Sequence, residues 1–236
     1  MKWPVVRVLL GSLVPFLLVV WAAALVFVAV LVPVVSIWKD ITISGWNVAS
    51  VQLGRWFLFA LGYHVVHDVL PTAVAHGRTR REFAAQAALV TLVVSAAAAL
   101  LVAVGFGLEF LLYRAAGWTQ ALGEQAAFGS ATEFPAIAGA HWAVFAVWMA
   151  VGALAAAGFD RLGGGGLLLV PVGLALVVPA GLAVNGSSSL PFLPSFGGWE
   201  SVPAAVALLL CAASWAVGLA LTWSLVRDIP VRARTA

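Results

Sequence analysis

The stretch AALVTLVVSAAAALLVAVGF, residues 87–106, carries no charged side chain and no regular alternation of apolar with polar positions. A strand of a transmembrane barrel needs about ten residues that alternate between lipid and lumen. This segment is apolar on every side and rich in Ala, which suits a helix surrounded by other apolar matter. It is also as long as the roughly 20 residues that a helix needs to cross a hydrocarbon layer about 30 Å thick.

The rest of the chain repeats the pattern. With 64% hydrophobic residues, 9% charged residues and a mean hydropathy of +1.09, the 236 residues hold too little polar surface to clothe a soluble globule. Windows of spanning length fall at 13–38, 51–71, 84–113, 138–159, 163–184 and 202–226. The expectation is an all-α, polytopic membrane protein with six transmembrane helices in a single transmembrane domain. The 84–113 window would be about 45 Å long as one helix, so it must tilt or project beyond the bilayer. Lys2 and Arg7 give the positive start of a signal peptide, but the apolar run behind them outlasts a signal core and no small-residue cleavage site follows. It is read as an uncleaved first span.

Charge sets the orientation. If both termini share one side, that side holds Lys2, Arg7, Arg78, Arg80, Arg81, Arg161, Arg227, Arg232 and Arg234, against Lys39, Arg55 and Arg114 on the other. This bias places the termini in the cytoplasm of a protein of the cell membrane. The net charge of +3 is then a topology signal, and no nucleic-acid partner is implied.

Cys211, inside the last window, is the single cysteine, so no disulfide can form within the chain. The external loop 185–201, NGSSSLPFLPSFGGWES, sets an apolar heptad with two prolines between Ser-rich and Gly-rich flanks. It reads equally as a surface loop or a re-entrant segment. Its Asn185-Gly186-Ser187 sequon reads as chance, because ten arginines against two lysines and heavy Ala, Val and Gly usage fit a high-GC bacterium. Trp3 and Trp223 fall toward the inner boundary, and Trp38, Trp46, Trp118, Trp142 and Trp199 toward the outer one, as interfacial anchors do. Trp21, Trp148 and Trp215 lie deeper and read as packing rather than as a substrate cage.

Ionisable groups within spans are costly and usually functional. Arg55, His64 and Glu109 are the candidates for an intramembrane polar site. His64, His67 and Asp68 share a helical face, but they lie near a boundary where water reaches them and no further ligand cluster completes a set, so no metal site is expected. Arg55 and Glu109 lie toward the outer side of adjacent helices. Counted from the window ends their heights differ by about 14 Å, and a pair becomes feasible only if the second helix continues past Pro71. RLGGGGLLLVP, residues 161–171, has the glycines of a phosphate loop without its Lys and hydroxyl, and reads as a hinge or a close-packing entry into the next helix. No nucleotide-binding or hydrolase motif is present, so the chain is not read as an enzyme and no cofactor is expected.

The densest charge cluster, HGRTRREF at residues 76–83, sits in the connection 72–83 between the second and third windows. Gly77 breaks that connection and Phe83 leads into the bilayer. Here the sequence resembles the six-helix permease subunits of bacterial ABC-type exporters, of type V architecture, many of whose actinobacterial members carry HG-x-TRR-x-F at this place. The resemblance rests on His76, Gly77, Thr79, Arg80, Arg81 and Phe83 and on the span order. It implies a cytoplasmic coupling loop in which Gly77, Arg78, Thr79, Arg80, Arg81 and Glu82 dock on a separate ABC ATPase subunit. It also implies a second permease copy or a related permease, with Asp160 and Arg161 adding a smaller contact to the ATPase. The chain lacks the long external domain of larger members. Two other classes stay open: a secondary carrier or channel lined by Arg55, His64 and Glu109, and a membrane scaffold or sensor that transports nothing.

Overall fold

A computed structural model describes residues 4–39, 41, 44–122, 128–185 and 202–228. Lys2, Trp3, Trp199, Arg232, Arg234 and the stretch 186–201, with its re-entrant reading, lie outside the described residues.

Among the described residues the fold is all helical. The elements are α1 (Pro4–Ser36), α2 (Gly45–His64), a π-turn (Val65–Val69), α3 (Leu70–Ala75), α4 (Arg80–Ala116), α5 (Phe134–Leu162), a 3-10 segment (Gly163–Leu169), α6 (Val170–Asn185) and α7 (Ala204–Val226). Five helical segments are long and apolar enough to cross a membrane. Broad outward faces of α1 and α7, with Val19, Phe27, Val30, Leu209 and Val217 exposed, have the character of lipid-facing surface. The chain is a multi-pass membrane protein.

The ends of the helices are set by recognisable local chemistry. Ser44 caps α2, its hydroxyl accepting from the Asn47 N–H at 3.0 Å. Thr79 and Glu82 form a reciprocal capping box at the start of α4. Gly117 ends that helix in the left-handed region at φ 71°, as a C-terminal glycine does. The window 51–71 extends to residue 75, because the widened turn at Val65–Val69 comes just before Pro71, which has no N–H to give, and the chain continues helically. The connection read as 72–83 is therefore mostly helix: it shrinks to the short turn between Ala75 and Arg80. Phe83 points into the bundle and is buried.

α5 is the centre of the bundle, in contact with α2, α4, α6 and α7. It is buried on nearly every side from Val144 to Leu154, as a helix with neighbours all round must be. α2 runs parallel to it, from Gly54 against Phe145 to His67 against Asp160. Where they cross, the two backbones touch. A Cβ on Gly62 would lie 1.9 Å from the Met149 carbonyl oxygen, and one on Gly152 would lie 2.0 Å from that of Phe59. Small residues let helices approach this closely where no water is available to drive association.

α6 folds back antiparallel along α5, with Gly166 against Phe159 and Gly173 against Val151. Of the four glycines at 163–166, Gly163 ends α5 at φ 55°, and Gly166 is packed so tightly that a Cβ there would lie 2.8 Å from the Phe159 nitrogen. The α-helical part of α6 is 16 residues, shorter than a usual span.

Candidate functional site

The polar groups gather at three levels of the bundle. The first is the end that carries the arginines. Arg80 donates from Nη1 to the Arg227 carbonyl at 2.5 Å, which ties the start of α4 to the end of α7. Arg161, at the end of α5, donates to the Ser224 and Leu225 carbonyls, each at 3.0 Å, and lies 3.5 Å from Asp228. His67 in the π-turn meets Asp160 at 2.7 Å. Gln86 on α4 accepts from the Val5 N–H at 3.0 Å, so it caps α1. Together these contacts lash α1, the α2 extension, α4, α5 and α7 at one end.

Within the HGRTRREF turn the residues divide by role. Gly77 takes φ 76°, and Thr79 and Glu82 spend their side chains on the capping box. Arg80 is half-buried against α7, whereas Arg81 is exposed beside it and Arg78 is half-exposed. Three arginines that look equivalent in sequence thus face different surroundings.

The second level is the opposite end, where Glu109 is buried. It accepts from the Ser44 hydroxyl, from the Trp46 N–H at 2.7 Å and from the Gln120 amide at 2.7 Å. The carboxylate therefore sits at the N-terminus of α2, where the helix dipole and free N–H groups favour negative charge. Tyr113, one turn further along α4, accepts from the Gly45 N–H at 3.3 Å. The segment after α4 closes over this cluster through Ser44 N–H to the Ala121 carbonyl at 2.9 Å and Asn47 Nδ2 to the Leu122 carbonyl at 2.9 Å. Beside it opens a cleft of about 620 Å³ lined by Phe110, Tyr113, Arg114, Trp118 and Phe128. Trp46, read as an interfacial anchor, is instead buried, its indole N–H bonded to the Val102 carbonyl at 2.9 Å and its ring seated on Gly105.

The third level lies inside the bundle. Arg55 on α2 is only 4% exposed, and among the described residues its Nη2 has no hydrogen-bond partner. His141 on α5 is 1% exposed, held by Nδ1 on the Ile137 carbonyl at 2.8 Å, and among the described residues its Nε2 has no partner. Sequence reading passed over His141. The signal was there, an imidazole inside an apolar helix.

Arg55, His64 and Glu109 are not brought together. Arg55 forms no ion pair with Glu109, whose oxygens are taken by Ser44, Trp46 and Gln120. His64 is exposed at the arginine end and pairs with Asp68 at 2.8 Å. Among the described residues no group of three His, Cys, Asp or Glu side chains could hold a metal ion. Trp21, Trp148 and Trp215 have separate partners: Trp21 packs on Phe57 and Phe145, Trp148 on Trp56, and Trp215 reaches Thr91.

Comparison with models of known protein families, with curated proteins and with solved structures found no match to this chain.

Proposed function

We propose that the chain is the membrane-spanning permease subunit of an ATP-driven ABC-type exporter of the cell membrane, working with a separate ATPase. In this reading α6 is a sixth span, both termini and the arginine end face the cytoplasm, and a second permease copy or a related one completes the transporter. The observation that carries the reading is the bracing of the arginine turn. A load applied between Gly77 and Glu82 enters α4 directly through the capping box and passes to α7 through Arg80. Asp160 and Arg161 link α5 to the α2 extension and to α7. A turn so lashed moves helices rather than bending alone, which is what work supplied by another polypeptide requires.

Arg81 offers its charge outward, so it is the docking arginine that can be reversed without unlatching the bundle. Arg81→Glu is expected to leave insertion intact and folding stability within about 0.5 kcal/mol of the parent, as surface changes do, and to abolish co-purification of a stoichiometric ATPase from the native membrane. Arg80→Glu is expected to lose the ATPase and also to destabilise the fold, since its partner on α7 is lost. Copurification unchanged by Arg81→Glu, or no ATPase with the parent protein, would remove the proposal.

A further inference from the structure

The interior of the bundle holds a charge that the coupling role does not use. Arg55 lies ten residues into α2, at a depth of about 15 Å. A buried guanidinium without a counter-charge is unfavourable, and ionisable groups placed so are characteristically there to meet something. Among the described residues, two further buried polar atoms in the facing helices lack partners. His141 Nε2 is one. The indole N–H of Trp21, on α1, is the other. Trp21 and His141 flank one ring, and Arg55 follows directly on the residue that ring packs against. Phe145 lies 5.7 Å from the His141 ring and 6.4 Å from the Trp21 ring, and it presses on Gly54, the residue before Arg55. Phe106 and Phe128 complete an aromatic wall on His141, at 6.1 and 6.0 Å.

The geometry points to a ligand site between α1, α2 and α5 in which Arg55 takes the oxyanion of an amphipathic molecule, a carboxylate or a phosphate. Trp21 is a second donor to that oxyanion. Because the Ile137 carbonyl can only accept, Nδ1 of His141 carries a proton, and in the neutral ring that tautomer leaves Nε2 as an acceptor. The site thus pairs donors for an anion with an acceptor for a hydroxyl or N–H, against aromatic surface suited to an apolar body. Glu109 is not the counter-ion: it is bonded to Ser44 and Trp46 at the α2 N-terminus and to Gln120, and forms no ion pair with Arg55. That the bound anion is the transported cargo rests on the exporter reading. Binding by the chain alone does not.

The test uses the full chain purified in a neutral detergent, with benzoate as probe and benzyl alcohol as the uncharged control. Benzoate should raise the melting temperature saturably and benzyl alcohol should not. Arg55→Met should weaken benzoate binding by at least about tenfold, the scale of a lost hydrogen bond to a charged group, while itself melting at or above the parent temperature because the uncompensated charge is gone. Inorganic phosphate and phosphatidylglycerol are added as competitors. Displacement by phosphatidylglycerol alone assigns the oxyanion to a lipid headgroup, and displacement by inorganic phosphate assigns it to a soluble anion; both support the site. Equal benzoate binding by Arg55→Met, an equal effect of benzyl alcohol, no saturable response to any of the anions, or an Arg55→Met protein that melts well below the parent would each overturn it. Loss of ATPase copurification has no bearing on these readouts, so the two proposals fail separately.

Discussion

Gly152→Ala is expected to cost about 3 kcal/mol or more of bundle stability, at or beyond the top of the usual range for overpacking. The added Cβ would stand 2.0 Å from the Phe59 carbonyl oxygen, 2.8 Å from its carbon and 3.0 Å from the Tyr63 nitrogen. All three are backbone atoms of α2 and cannot swing aside. The helices must separate instead, and with them the alignment that sets His67 on Asp160 and Trp56 on Trp148. Gly62→Ala should behave alike, its Cβ lying 1.9 Å from the Met149 oxygen. Gly139→Ala, with nothing within 4 Å on the same helix α5, should instead be neutral or stabilise slightly through better helix propensity. Reversible denaturation of the purified protein measures all three. A tolerated Gly152→Ala would mean that α2 and α5 do not approach as closely as described.

The second large effect is at Glu109. Glu109→Ala should destabilise by roughly 2–4 kcal/mol, because it strands the Ser44 hydroxyl, the Trp46 N–H and the Gln120 amide in a buried place. Glu109→Gln keeps one acceptor oxygen and should cost about half as much. The loss should appear first as faster hydrogen exchange at the α2 N-terminus, since that turn and the segment that closes over it are held through this carboxylate. Unchanged exchange at Trp46 in Glu109→Ala would contradict the arrangement.

Much of the bundle was legible from apolar windows, because a membrane demands long runs without charge and the chain supplies them. The ends were harder. Windows stop where charge begins, but α4 starts inside the charged segment because Thr79 and Glu82 cap it, and T-x-x-E could have been read as that start. The helical run that starts as α2 continues through the π-turn into α3 and so passes Pro71, and nothing in the sequence marks such a turn. The polar site was less legible. Glu109 and Arg55 stand out as ionisable residues in spans, but that Glu109 meets the first turn of α2 while Arg55 forms no ion pair depends on where the α2 N-terminus lies, and hydropathy does not fix that. Trp46 looked like an interface anchor since indoles favour that layer, whereas the hollow at Gly105 takes it inside. A glycine within an otherwise bulky helix was the available clue.

Sidedness tests the central claim most directly. Cys211 is buried, so the parent chain gives little background to a thiol reagent. An Arg81→Cys protein treated with a membrane-impermeant maleimide should stay unlabelled in intact cells and become labelled once the membrane is opened. Labelling in intact cells would put the arginine turn outside, beyond the reach of any cytoplasmic ATPase, and the account of its function would fall.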